Sequence, residues 1–194
     1  VEEVTRWVVD VAGGRPVWAK MTPNITDIRI PAASAQSGGA NGVAAINTIL
    51  ACIGINLKTL KPQPTVEGHS TYGGYSYIAV RPIALRMVSQ IARELPGFTI
   101  SGIGGVTDAN SAIEHMLVGA LTVQSCTGPM LQGFDMVKEM IDGTEAFLDQ
   151  HGFDSVSDIV GKSLEYFTTH HHWVDLQADK RARKAAQQAT ANAV

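Results

Sequence analysis

Four short stretches of this 194-residue sequence combine side chains and turns suited to chemistry, and each one closes a run that reads as a β-strand. Lys20 interrupts the otherwise apolar VWAKM at 17–21. An ammonium near the end of a buried strand is costly to desolvate unless it meets a negative group. It therefore implies either an internal ion pair with a carboxylate or an anionic cofactor edge. Asn47 and Thr48 close GVAAIN at 42–47. The amide both donates and accepts and a hydroxyl stands beside it, a pair able to hold a planar ring bearing a carbonyl and an N–H, although the same dipeptide also serves as ordinary turn chemistry. Gly102, Gly104 and Gly105 follow a third strand, and Cys126-Thr127-Gly128 follow a fourth. Tight turning alone selects glycine, but exposed backbone N–H groups in such turns also cradle phosphate. Two such turns on consecutive strands, each leading into a helix, favour a phosphorylated ligand.

Other reactive residue types read as structural. His170, His171 and His172 are consecutive, so their side chains diverge and cannot form the i, i+4 pair that places two metal ligands on one helical face. No metal is expected. Cys52 and Cys126 are the only cysteines and lie far apart, which argues against a disulfide framework and excludes a cysteine-ligated iron–sulfur cluster within the chain. Nothing around Cys52 marks it as a reactive thiol.

The elements that must position these residues alternate. Residues 2–11 place Val4, Val8 and Val11 on one helical face, and Gly13-Gly14 stop that helix. The run 17–21 reads as a strand buried on both faces. A helix over 27–37 turns Ile28, Ala32 and Ala35 inward, with Pro31 tolerated in its first turn. The strand at 42–47 follows. Residues 48–80 are rich in Gly, Pro, Ser and Thr without sustained period, the mark of a long functional loop. From Pro82 a helix buries Ala84, Met87, Val88, Ile91 and Leu95. A strand at 98–101, a helix capped by Thr107 or Asp108, a strand at 120–125 and a helix over 134–149 with Phe134, Val137, Ile141 and Leu148 inward complete the pattern. This is an α/β chain of four strand-helix units with a parallel sheet, chemistry at the C-terminal strand ends, and the look of half a (β/α)8 barrel. The glycine turn lacks the GxGxxG register of a doubly wound dinucleotide fold. Residues 1–150 are expected to form the half-barrel, and 151–194 an extension ending in a basic, alanine-rich tail.

A net charge of -3 offers no footprint for nucleic acid or an anionic membrane surface. No run approaches the ~20 apolar residues of a spanning helix, and no signal peptide opens the chain, so a cytoplasmic location is expected.

The segments PVWAKMTPNITDI (16–28), INT (46–48), TYGG (71–74), RPIAL (81–85), SGIGGV (101–106) and VQSCT (123–127) occur in an order that resembles the dihydropyrimidine dehydrogenase family. The similarity is strongest to the FMN-binding catalytic subunit of the bacterial NAD-dependent type and runs over residues 2–175. It implies the C-terminal half of a (β/α)8 barrel and a flavoenzyme of pyrimidine catabolism that interconverts uracil or thymine with 5,6-dihydropyrimidines by hydride transfer through FMN. Lys20 is then the catalytic residue against the flavin, Asn47 and Thr48 bind the pyrimidine, and Ser76, Gly104, Gly105, Cys126 and Thr127 join Lys20 in binding FMN. NAD(P) and iron–sulfur clusters enter only through regions absent from the chain or through a partner, and a homo- or hetero-oligomer with an FAD/NAD-binding electron-transfer subunit is implied. The family's proton-donating cysteine precedes the position of Val1, so an excerpt of a longer enzyme is expected. Tyr77 stands where the family has a glycine near the FMN phosphate. A dihydroorotate dehydrogenase-like enzyme, or an inactive half-barrel, are the alternatives.

Overall fold

The computed structural model describes residues 1–191. They fall into two compact units, Val1–Lys162 and a second from Ser163 onward. In the first unit, helix α1 (Glu2–Val11) precedes strand β1 (Trp18–Met21), helix α2 (Arg29–Ser37) and strand β2 (Gly42–Ala45). The segment that follows is built of two small ladders. Strand β3 (Ile49–Ala51) pairs antiparallel with β6 (Gly73–Tyr75), enclosing a hairpin of β4 (Gly54–Asn56) and β5 (Lys61–Gln63). A 3-10 turn at Ile78–Val80 leads into α3 (Arg81–Glu94), then β7 (Thr99–Ile103), α4 (Ala109–Leu117), β8 (Thr122–Gln124), the short α5 (Thr127–Gln132) and α6 (Asp135–His151).

The main sheet has the order β1-β2-β7-β8, and every pair is parallel. Sequential parallel order without reversal is that of a barrel segment; a doubly wound sheet would reverse at a switch point. Each connection carries a helix, as parallel crossovers require. β2 lies inside the sheet with all four residues buried, whereas β1 at the edge buries only Met21. The expectation of a doubly buried first strand is thus met only at its end: Trp18 is 42% exposed and Lys20 is exposed.

The core gathers Ile28, Ala32 and Ala35 of α2, Val43 and Ala45 of β2, and Ala84, Met87, Val88 and Ile91 of α3. Fully burying each large aliphatic among them contributes about 1.5–3 kcal/mol. Pro31 and Pro82 both sit in first turns, where a missing N–H costs nothing. Two expected helix faces are wrong. Val4, Val8 and Val11 of α1 are exposed, and the helix instead buries Thr5, beside which Gly38 leaves no room for a β-carbon. On α6, Phe134, Val137 and Ile141 are exposed, Met136 is buried and only Leu148 of the expected face packs inward, because the helix meets α4 at Gly143, where a β-carbon would lie 2.5 Å from Ala109 Cβ. A glycine contact is invisible to a hydrophobic period.

The first unit continues past α6. Ile159 is fully buried against Ile113 and Met116 of α4, and the Gly161 N–H donates to the Met116 carbonyl at 2.9 Å. The second unit comprises a 3-10 turn at Leu164–Tyr166 and helix α7 (His170–Ala191), which carries the basic tail and on which His170 stacks with Trp173. The remaining tail residues, 192–194, lie outside the described range. No helix among the described residues is long and apolar enough to cross a membrane.

Candidate active site

The parallel register places four chain segments at one end of the sheet. Met21 aligns with Ala45, Ala45 with Gly102, and Ile103 with Gln124, so the residues just beyond them share one rim. A cavity of about 170 Å³ opens there. Lys20, Asn47, Thr48, Ser76, Gly104, Gly105, Cys126 and Thr127 all line it. Every site residue expected from the sequence therefore meets in one place, although they are drawn from segments as far apart as Lys20 and Thr127.

Lys20 projects from the penultimate position of β1 and makes no ion pair or hydrogen bond with any described residue. The internal ion pair that its position left open is thus not formed, and the ammonium faces the cavity. At the end of β2 the Asn47 N–H donates to the Met21 carbonyl at 2.8 Å, and Asn47 Oδ1 accepts from the Thr48 N–H at 2.8 Å. The Asn47 amide nitrogen has no hydrogen-bond partner among the described residues, and Asn47 lines the cavity. Thr48 is held from below. Its carbonyl accepts from Asn24 Nδ2 at 3.1 Å, Asn24 Oδ1 accepts from the Leu50 N–H at 2.8 Å, and Asn24 also donates to Thr22 Oγ1. Asn24 therefore clamps the turn after β1 to the start of β3. The TPN of residues 22–24 was legible only as a loop, and no periodicity marks such a clamp.

Gly104 and Gly105 take φ of 133° and 73°, a conformation that disfavours side chains. A β-carbon at Gly104 would fall 2.8 Å from Ala84 Cβ, and one at Gly105 2.5 Å from Arg81 Cβ, so the bare turn lets the start of α3 pack against it. Beneath the turn lies His115, fully buried on α4, whose Nε2 pairs with the Gly104 carbonyl at 3.1 Å. A carbonyl can only accept, so Nε2 carries the proton and Nδ1, which has no partner among the described residues, is bare. Burial pushes the imidazole pKa down from 6.5, outweighing the opposite pull of the Gly104 carbonyl, and the Arg81 charge adds to the lowering. The ring is neutral at physiological pH.

On the opposite wall, Ser76 Oγ and Thr127 Oγ1 are hydrogen-bonded at 3.1 Å, joining the exit of the long loop to the start of α5. Ser125 donates to the Val106 carbonyl at 2.6 Å and fixes the turn after β8 to the glycine turn. Gln124 lines the cavity as well, with its Nε2 donating to Ser101 Oγ at 2.9 Å. Reading strands as apolar runs missed Gln124 and Ser125, whereas Tyr77, which the resemblance marked out, lines the cavity too. Cys52 lies outside the lining and is exposed. No group of three His, Cys, Asp or Glu among the described residues could hold a metal ion.

The arrangement offers an unpaired cation, an amide donor next to a hydroxyl, a glycine turn and a hydroxyl pair around one hollow. Residues 2–148 match the dihydroorotate dehydrogenase family model. The chain is 47% identical over 193 residues to the chloroplastic dihydropyrimidine dehydrogenase (NADP(+)) of Arabidopsis thaliana, covering 97% of this chain and 44% of the relative. It is 45% identical over 148 residues to the NAD-dependent dihydropyrimidine dehydrogenase subunit PreA of Escherichia coli K12, covering 75% and 36%. It is 40% identical over 165 residues to the catalytic subunit of dihydroorotate dehydrogenase B (NAD(+)) of Pyrococcus abyssi, covering 85% and 53%. The chain thus spans about half, or less, of the length of these relatives. With a cavity at the C-terminal ends of a sequential parallel sheet and a family match over most of its length, the chain belongs to the dihydroorotate dehydrogenase family.

Proposed function

We propose that the chain forms the C-terminal half of an FMN-dependent (β/α)8 barrel that interconverts uracil or thymine with their 5,6-dihydro forms, residues 1–150 supplying the half-barrel and 151–194 an extension. The observation that carries this reading is the convergence of all eight site residues on one cavity. Their chemistry fits the flavin. Gly104, Gly105, Cys126, Thr127 and Ser76 would hold its phosphate through backbone N–H groups and hydroxyls, and the unpaired Lys20 ammonium would face the ring. FMN, when bound, supplies hydride transfer to and from the pyrimidine ring. Lys20 lowers the cost of negative charge in the cavity and is the catalytic residue. Asn47 donates its amide N–H to a ring carbonyl, and the Thr48 hydroxyl adds a second contact that fixes the base in plane. Segment 49–75 acts as a lid that excludes water. A cavity of about 170 Å³ is smaller than the roughly 300–1,000 Å³ of a small-molecule site, which fits one wall of a shared pocket.

Electrons reach the site through an FAD/NAD-binding partner subunit or a further region bearing iron–sulfur clusters, in the cytoplasm; relatives named as a subunit and a catalytic subunit support a multi-chain assembly. The similarity to a dihydroorotate dehydrogenase B catalytic subunit favours orotate as the second substrate reading. The two separate when the FMN-loaded, dithionite-reduced protein is mixed anaerobically with uracil, thymine or orotate and flavin reoxidation is followed. Reoxidation by uracil or thymine in preference to orotate is expected; preference for orotate, or no reoxidation by any of them, would sink the dihydropyrimidine reading.

A further inference from the structure

The segment that leaves the long loop contains an oddity that the cavity lining by itself does not explain. Tyr77 has φ 72° and ψ -155°, a region of backbone space essentially reserved for glycine. Two other residues with side chains, Leu60 and Glu67, also have positive φ, but both are exposed in the lid and neither lines the cavity. Tyr77 is half-buried and does. Strain of this kind persists only where surrounding contacts over-determine it.

Three hydrogen bonds surround the residue. The reversal at Tyr77 starts the 3-10 turn, in which the Val80 N–H donates to the Tyr77 carbonyl at 3.2 Å and Val80 is carried into the core, 3% exposed. Immediately before it, Ser76 pairs with Thr127 at 3.1 Å. The Tyr77 hydroxyl accepts from Gln132 Nε2 at 3.2 Å. Thr127 and Gln132 are the first and last residues of α5, about 7.5 Å apart along the axis of an α-helix. The dipeptide Ser76-Tyr77 is therefore stapled to both ends of α5, and because Gln132 lies outside the cavity lining, the tyrosine ring spans the rim. A glycine would adopt this backbone without strain but could not reach Gln132.

We propose that Tyr77 is a positioning residue, its phenol tethered to Gln132 so that Ser76 is held against Thr127 at the end of the cavity that takes a terminal phosphate. This rests on the flavin-site reading above. The tether acts on the phosphate end alone, so it discriminates a flavin ending in a phosphomonoester from the same ring system without one.

The test compares the wild-type protein with Tyr77→Gly and Tyr77→Phe, titrated with FMN and separately with riboflavin, with Tm recorded for each. Tyr77→Gly is expected to raise Tm by roughly 2–8 °C through relief of strain, while weakening FMN about 10-fold and leaving riboflavin unchanged. Tyr77→Phe keeps the strain, so its Tm is not raised, and it shows the same selective loss of FMN. A merely structural tyrosine would not give a more stable protein that binds FMN less well. The inference is overturned if Tyr77→Gly binds FMN as tightly as wild type, if it loses FMN and riboflavin equally, or if its Tm falls. Should wild type bind neither flavin, the cofactor reading fails on its own. Amide hydrogen exchange then decides the tether: faster exchange over 76–80 and α5 in Tyr77→Phe than in wild type supports it, and equal rates overturn it.

Discussion

At the residue scale, the cavity depends on groups that do nothing but support it. His115 holds the Gly104 carbonyl while its other nitrogen has no partner among the described residues, and Arg81, itself paired with Glu114 at 3.5 Å, is the charged group that acts on it. Because the folded-state pKa lies below the ordinary 6.5, the unfolded chain binds the proton more tightly. The stability this ring contributes is present above pH 6.5 and is lost as the pH falls through and below that value. His115→Leu is accordingly expected to cost no more than about 1 kcal/mol at pH 7.5, and to flatten the fall in Tm between pH 7.5 and 5; a wild-type slope retained in the variant would show that the ring is not the titrating group. Lys20 makes the opposite case, a charge with no ion-pair or hydrogen-bond partner among the described residues. Lys20→Met should leave Tm unchanged or raise it while lowering turnover on the order of 100-fold, and stopped-flow reoxidation of the reduced protein at a wild-type rate would remove the residue from the catalytic role. Lys20, Asn47 and the two glycine turns were legible because each polar or bare residue broke an apolar strand. Asn24, His115 and Gln124 were not, since their roles lie in hydrogen bonds to backbone or to a neighbouring strand that no local pattern encodes.

At the scale of elements, the strand-helix rhythm was readable wherever a helix bore a full apolar stripe, as α3 does, or a cap, as Asp108 does for α4. The Asp108 side chain accepts from the Ser111 N–H at 2.8 Å, and the Ser111 hydroxyl accepts from the Asp108 N–H at 3.0 Å, a capping box made with serine. Burial alone would push the Asp108 carboxyl up, but the Ser111 and Thr107 hydrogen bonds and nearby Arg81 together hold it below its ordinary value. Asp108→Ala should cost about 1 kcal/mol, seen as a lowered midpoint in urea. The faces of α1 and α6 were misread because close approach at Gly38 and Gly143, and no apolar stripe, sets which side packs. Gly143→Val is expected to push α6 off α4 and destabilise by about 1–3 kcal/mol, again read as a urea midpoint; an unchanged midpoint would contradict the packing of the two helices. The lid, within residues 48–80, was legible as a long loop but not as paired strands, since strands of three residues are too short to show alternation. Its exposed Leu57, Leu60 and Val66 make it the first site of cleavage expected under limited proteolysis, mapped by mass spectrometry, with FMN and a pyrimidine slowing that cleavage.

Over the molecule as a whole, the sheet of the first unit leaves the outer edges of β1 and β8 without a neighbouring strand among the described residues. Open parallel edges pair with whatever supplies a strand, so the protein on its own should self-associate as its concentration rises, with light scattering reporting a mass above the 20.6 kDa of one chain. Half a barrel was recognisable from the sequence because chemistry recurred at the end of each strand. The shared rim itself needed the register, in which Met21, Ala45 and Gly102 align across three strands. Everything functional rests on that rim holding a flavin, and diffraction from crystals soaked in FMN addresses it most directly. Difference density is expected with the phosphate between Gly104, Gly105 and Thr127 and the ring toward Lys20, whereas FMN bound elsewhere, or no bound FMN at saturating concentration, would contradict it.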